Sequence, residues 1–184
     1  AIGRPYTSGS FSIGGKGRLA YTLGRDDRPA DVALMRPGRT PLKLTDLNGD
    51  LMGQRQMTGA ERITWRSSHD AMMIEGWVMK PPGFDPAKTH PMILEIHGGP
   101  HSAYGPNYST EAQLFAAAGY VVLYTNPRGS TSYGEQFANE IDLAYPGFDY
   151  DDLISGVDAV INQGYVDPEQ LFVTGGSGGG VLTA

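Results

Sequence analysis

A chain of 184 residues has room for one domain, or for one and part of a second, and a 40% hydrophobic, 10% aromatic composition supplies enough apolar material for a core. A formal net charge of −6 leaves no basic surface for nucleic acid. The absence of cysteine rules out disulfides, thiolate zinc sites and a thiol nucleophile, and no apolar run approaches the ~20 residues of a membrane-spanning helix.

The opening Ala1-Ile2-Gly3 has no Met, basic n-region or apolar h-region, so no targeting segment is legible and the compartment stays unassigned; we expect that this is not the native N-terminus. Residues 1–50 read as β. Short runs of strand formers at 10–13, 18–23, 31–35 and 41–44 are separated by turn-rich stretches at 14–17, 24–29 and 37–39. Strands of this length and spacing suit one blade of a β-propeller, which cannot bury both faces alone and so implies neighbouring blades. The alternative is a small independent meander, which is marginal by itself. A polar connector spans 47–61. Residues 62–66 and 72–79 then predict a strand pair turning at 67–70, and 91–97 predict a nearly continuous apolar strand broken by Gly98-Gly99-Pro100.

From there the period changes. Residues 109–118 predict a helix with a Ser/Thr start, an acidic first turn and Gly119 as its stop. Residues 120–125 predict a buried strand ending in Asn126-Pro127-Arg128-Gly129. Residues 149–163 predict a second helix with Leu153, Val157, Val160 and Ile161 on one face and Asp149, Asp151 and Asp152 at its N-terminus. Residues 170–174 predict the last strand. This alternation calls for an α/β fold with a mainly parallel sheet and helices on both faces. In such sheets the functional loops lie at the carboxyl ends of the strands, so Gly98-Gly99-Pro100, Pro127-Arg128-Gly129 and the turn after 174 should converge on one rim.

That turn, Gly175-Gly176-Ser177-Gly178-Gly179, fits G-x-S-x-G with Ser177 at the centre. A serine at the apex of a sharp strand-to-helix turn sits on strained backbone, and small neighbours let the chain double back and a substrate carbonyl approach. A flexible linker does not fit, because core-like residues flank the run. The phosphate-loop and dinucleotide spacings both fail at Val181, which stands where Lys or Gly is required, and no cofactor is implied. Acyl transfer also needs oxyanion donors, a base, and a group orienting the base. The N–H of Gly178 is one donor candidate, and Gly98 or Gly99 supplies the other, because Pro100 has no N–H.

A base is harder to place. All four histidines precede Ser177, and only seven residues follow it, whereas α/β-hydrolases run Ser, then Asp or Glu, then His. His97 and His101 stand at the rim, where a structural histidine bonded to backbone is the commoner outcome; His69 and His90 read as turn and loop residues. No His, Asp and Glu cluster has metal-ligand spacing.

The motifs Ile96-His97-Gly98-Gly99-Pro100-His101-Ser102, Asn126-Pro127-Arg128-Gly129-Ser130-Thr131-Ser132-Tyr133-Gly134 and Val173-Thr174-Gly175-Gly176-Ser177-Gly178-Gly179-Gly180 resemble those of the prolyl oligopeptidase family, nearest to its acylaminoacyl-peptidase and dipeptidyl-peptidase branch. The similarity runs from about Arg62 onward. It implies an α/β-hydrolase fold over residues 51–184, cut after the nucleophile turn, preceded at 1–50 by the end of a β-propeller. It also implies a serine peptidase that takes short peptides, with Ser177 as nucleophile and the N–H groups of Gly99 and Gly178 as the oxyanion hole. Other branches use a Tyr hydroxyl near His97 for one oxyanion contact. The triad Asp and His are expected downstream, so residues 1–184 alone would be inactive and would depend on the rest of the polypeptide for stability. A carboxylesterase on the same fold, and a non-catalytic interaction module, are the rival readings. Oligomeric state and P1 preference are left open.

Overall fold

The computed structural model describes residues 9–184; the chain start and the first eight residues of the expected propeller segment lie outside them. Two compact units result. One holds the described residues up to Gly59 together with Pro106–Thr110, and the other holds Ala60–Gly105 and Glu111–Ala184.

The first unit is a four-stranded antiparallel sheet, β1 (Phe11–Gly14), β2 (Arg18–Arg25), β3 (Arg28–Met35) and β4 (Leu42–Lys43), in chain order. A 3-10 turn at Gly15–Gly17 joins the first pair, with Lys16 at φ 60°. Sequence periodicity gave no sign of α1 (Gly49–Met52), a single turn inside the polar connector. The connector's start is pinned to β3, because Asp31 accepts hydrogen bonds from Thr45 Oγ1 (2.8 Å) and the Leu47 amide (2.9 Å). Tyr21 and Ala33 are buried, whereas Phe11, Ile13, Leu42 and Leu47 are at least half exposed.

The second unit contains β5 (Ala60–Arg66), β6 (Met73–Met79), β7 (His90–Ile96), α2 (Thr110–Ala117), β8 (Val121–Asn126), α3 (Glu135–Asn139), α4 (Asp149–Ile161), β9 (Val166–Gly175) and α5 (Gly178–Thr183). The sheet order is β5-β6-β8-β7-β9. It is mixed rather than mainly parallel. Strands β8, β7 and β9 run parallel, but the β5–β6 hairpin joins the same sheet through an antiparallel β6–β8 ladder. A short turn forces its two strands antiparallel, and β6 then extends β8 on its free side.

The side-chain alternation of β8 sorts the core into two layers. Val121 and Leu123 pack with Leu94, Ile96, and Leu153 and Val160 of α4. Val122 and Tyr124 pack with Trp77, Met79, and Ala112 and Ala116 of α2. Helices therefore cover both faces, and the expected apolar stripe of α4 is the one buried. β9 departs from the sequence reading. Its Leu171, Phe172 and Val173 are 40–51% exposed, because among the described residues β9 pairs with β7 alone.

Trp65 wedges α4 against the sheet. Its indole N–H donates to the Asp152 carbonyl (2.8 Å), and a Cβ on Gly156 would stand 2.6 Å from its ring. Alanine is the better helix former by about 1 kcal/mol, yet overpacking a filled core costs about 1–3 kcal/mol. Because an indole pinned by its own hydrogen bond cannot retreat, the second effect wins. Gly156→Ala should lower the urea midpoint; an unchanged or raised midpoint would show that the ring has room to move.

Candidate active site

Ser177 stands between the end of β9 and the start of α5 with φ 56° and ψ −118°. A non-glycine residue reaches positive φ only where its surroundings impose it, and here close backbone packing does so. A Cβ on Gly175 would lie 2.6 Å from the Gly179 carbonyl group, and one on Gly179 would overlap the Ile96 carbonyl oxygen. The first turn of α5 is thus pressed onto the carboxyl end of β7, and the two outer glycines of G-x-S-x-G are steric requirements. Gly176 is not, since a Cβ there would meet nothing within 4 Å.

The loop after β7 closes on this turn. A Cβ on Gly98 would stand 2.9 Å from the Gly176 carbonyl oxygen and 3.2 Å from Ser177 Cβ, and one on Gly178 would stand 3.2 Å from the Gly99 nitrogen. The backbone of Gly99, at φ 132°, and that of Gly178 therefore meet beside the serine. Gly98, left open as a donor by sequence reasoning, is the residue whose missing side chain permits the approach.

The histidines are engaged elsewhere. His97 Nδ1 donates to the Gly98 carbonyl (2.8 Å) and its Nε2 lies 3.0 Å from Ser130 Oγ; burial pulls its pKa below the ordinary value. His101 Nδ1 bonds the Gly129 carbonyl (3.0 Å) and His90 Nε2 the Asp85 carbonyl (3.2 Å). His69 stacks on Phe148 with centroids 3.3 Å apart. Among the described residues no group of three or more His, Asp or Glu is placed to hold a metal.

Arg128 is the residue that sequence reasoning undervalued. Its side chain is 2% exposed and that of Asp152 is fully buried. Its Nε and Nη2 donate to the two Asp152 oxygens (2.9 Å each), while the Arg128 amide donates to Oδ2 (2.8 Å). Nη1 and Nη2 also reach Asp70 (3.2 and 3.0 Å). Asp152 stands at the helix start, as its sequence position predicts, and is also the buried counter-ion of a strand-end arginine. The signal available was Arg128 itself, a charge placed two residues after a fully buried strand.

From this anchor the 126–131 loop laces into the 97–104 loop. Ser130 joins His97, and Ser130 Oγ donates to the Pro127 carbonyl (2.6 Å). The Thr131 amide donates to the Ser102 carbonyl (2.8 Å), and buried Asn126 bonds both backbone groups of Tyr104 (2.7 and 3.0 Å). A cleft of about 410 Å³ opens beside Gly176, lined by Glu95, His97, Gly98, Tyr104 and Glu111. Burial pushes the Glu95 carboxyl up, and the Tyr104 hydroxyl donates to it at 3.0 Å. Sequence reasoning also missed Tyr145, whose hydroxyl donates to the Gly178 carbonyl (2.7 Å).

Removing one member of a buried pair strands the other charge, at about 3–5 kcal/mol, so Arg128→Met should bring a loss of that size in urea unfolding. The Arg128 hydrogen bonds hold the Asp70 carboxyl below its usual range. A depressed carboxylate stabilises above its unfolded pKa, near 4, and loses that contribution as pH falls through the folded value. Asp70→Asn should therefore flatten the acid limb of a stability profile below about pH 4; an identical limb would place the titration elsewhere.

Residues 106–184 match the family model described as the prolyl oligopeptidase family. The chain is 41% identical over 163 residues to an uncharacterized peptidase, YuxL, of Bacillus subtilis, covering 88% of this chain and 25% of that protein. It is 36% identical over 128 residues to dipeptidyl-peptidase 5 of Schizosaccharomyces pombe, covering 68% and 19%. Among solved structures, the acylaminoacyl peptidase of Pyrococcus horikoshii superposes with a TM-score of 0.88 at 30% identity, over 100% of this chain and 29% of that one. The chain thus spans a quarter or less of the curated relatives it matches. In sequence and in fold alike, the chain is similar to the prolyl oligopeptidase family, whose model its residues 106–184 match.

Proposed function

We propose that this chain carries the nucleophile and oxyanion hole of a serine peptidase acting on short peptides. The observation that carries the reading is the backbone of Ser177, at φ 56° and ψ −118° between a strand and a helix, where a side chain is thrust clear of the turn. Ser177 Oγ attacks the scissile carbonyl and the developing oxyanion is received by the N–H groups of Gly99 and Gly178. The amine leaves, an acyl-enzyme remains on Ser177, and water releases it. The four histidines of this chain are occupied at other contacts. The base that takes the serine proton, and the acid that orients it, accordingly belong to polypeptide beyond these residues.

Residues 51–184 are on this reading the first half of an α/β-hydrolase domain, and residues 1–50 the end of a β-propeller. The exposed apolar side chains of the four-stranded sheet and of β9 support both assignments, since each surface is of the kind that further sheets or strands cover.

In the full-length polypeptide, a fluorophosphonate should label Ser177. Ser177→Ala should abolish labelling and lower kcat on aminoacyl anilides by about 10⁴-fold or more. Labelling that survives the substitution would contradict the assignment, and turnover of simple esters without anilides would point to a carboxylesterase.

A further inference from the structure

The turn that presents Ser177 has an unusual weakness. Gly178, Gly179 and Gly180 follow the serine in succession; Gly179 is held to glycine by the Ile96 carbonyl pressed against it, and a Cβ on Gly178 would be crowded by the Tyr145 hydroxyl and the Gly99 backbone. Glycine is the residue with the widest choice of φ and ψ, so the segment bearing one oxyanion donor has no side chain of its own to fix its peptide planes. A donor from another element reaches it. The Tyr145 hydroxyl donates to the Gly178 carbonyl oxygen at 2.7 Å. A Cβ on Gly178 would stand 3.1 Å from that hydroxyl and 3.2 Å from the Gly99 nitrogen, so the phenol, Gly178 and Gly99 form one knot.

The loop that carries Tyr145 is itself anchored on both sides. Before it, Ile141 is buried against Gly129, where a Cβ would lie 2.5 Å from Ile141 Cδ1. After it, the Gly147 amide donates to the buried carboxyl of Asp149 (2.5 Å) at the start of α4. Burial raises the Tyr145 pKa, which keeps the hydroxyl protonated and able to donate.

We propose that Tyr145 is a positioning residue of the oxyanion hole: by bonding the Gly178 carbonyl it fixes the Gly178–Gly179 peptide, which adjoins the Ser177–Gly178 peptide carrying the Gly178 N–H and so restrains the aim of that N–H. A phenol has one hydrogen to donate, and it is committed to that carbonyl, so Tyr145 acts through the peptide rather than on the substrate. The inference rests on Ser177 being the nucleophile.

The test uses Tyr145→Phe in the full-length polypeptide, with Ser177→Ala measured alongside. An intramolecular hydrogen bond is worth up to about tenfold in an equilibrium, and misdirected donors act on the transition state alone. Tyr145→Phe should therefore lower kcat on an aminoacyl anilide about tenfold with KM unchanged. Affinity for a peptide boronic acid, which adds to the serine as a tetrahedral adduct, should fall by a similar factor, while the melting temperature shifts by no more than the few degrees that one lost hydrogen bond brings. Unchanged kcat would overturn the proposal. So would a fall in activity matched by a fall in melting temperature with boronate affinity intact, which is what a merely structural contact produces. If Ser177→Ala is as active as the parent, the peptidase reading fails and this one with it; if only Tyr145→Phe is silent, the positioning role alone fails.

Discussion

The architecture depends on one close approach. The first turn of α5 lies against the carboxyl end of β7, so near that Gly175 and Gly179 have no room for a Cβ. That contact turns the chain sharply after β9, and the turn puts Ser177 at a φ of 56°, a conformation which costs about 1–3 kcal/mol and persists only when its surroundings over-determine it. The parallel β7–β9 ladder, running from Met92 with Leu171 to Ile96 with Gly175, sets the approach. The sheet stiffens both sides of the contact, and the strain is stored at the turn that displays the Ser177 hydroxyl.

A second layer of support comes from a buried ion pair. Arg128 and Asp152 are both removed from water, and such pairs gain little net stability over well-packed apolar residues. Their value here is geometric. Asp152 takes the Arg128 amide as well as two guanidinium hydrogens, which fixes backbone and side chain together. The fixed loop passes its order through Ser130 to His97 and through Gly129 to His101. It also offers Gly129 as the surface on which Ile141 rests. Three loops from three strand ends are thereby held as one rim, and the exposed turn at Ser177 is only the most visible part of it.

Much of this was legible in the sequence, for identifiable reasons. The strands at 91–97 and 120–125 are apolar runs bounded by glycine and proline, and α4 carries its stripe at Leu153, Val157, Val160 and Ile161. Period and punctuation are local signals, and they located those elements within a residue or two. Sheet order was not legible as fully: the hairpin at 60–79 joins β8 antiparallel, a long-range pairing that no local pattern encodes. The G-x-S-x-G spacing disclosed the turn because sterics demand glycine at 175 and 179. Arg128 with Asp152 and Tyr145 with Gly178 stayed hidden, since each couples residues at least 24 positions apart. The exposed Leu171, Phe172 and Val173 show the opposite failure: composition marked them as core, and whether such a strand is covered depends on neighbours rather than on its own residues.

The central claim is that Ser177 is a nucleophile facing two backbone donors. The most direct measurement is a crystal structure of the full-length polypeptide after reaction with a phosphonate ester. The account predicts phosphorus bonded to Ser177 Oγ, with the phosphonyl oxygen about 2.7–3.1 Å from the nitrogens of both Gly99 and Gly178. Phosphorus on another serine, or an oxygen turned toward solvent and away from both nitrogens, would contradict it.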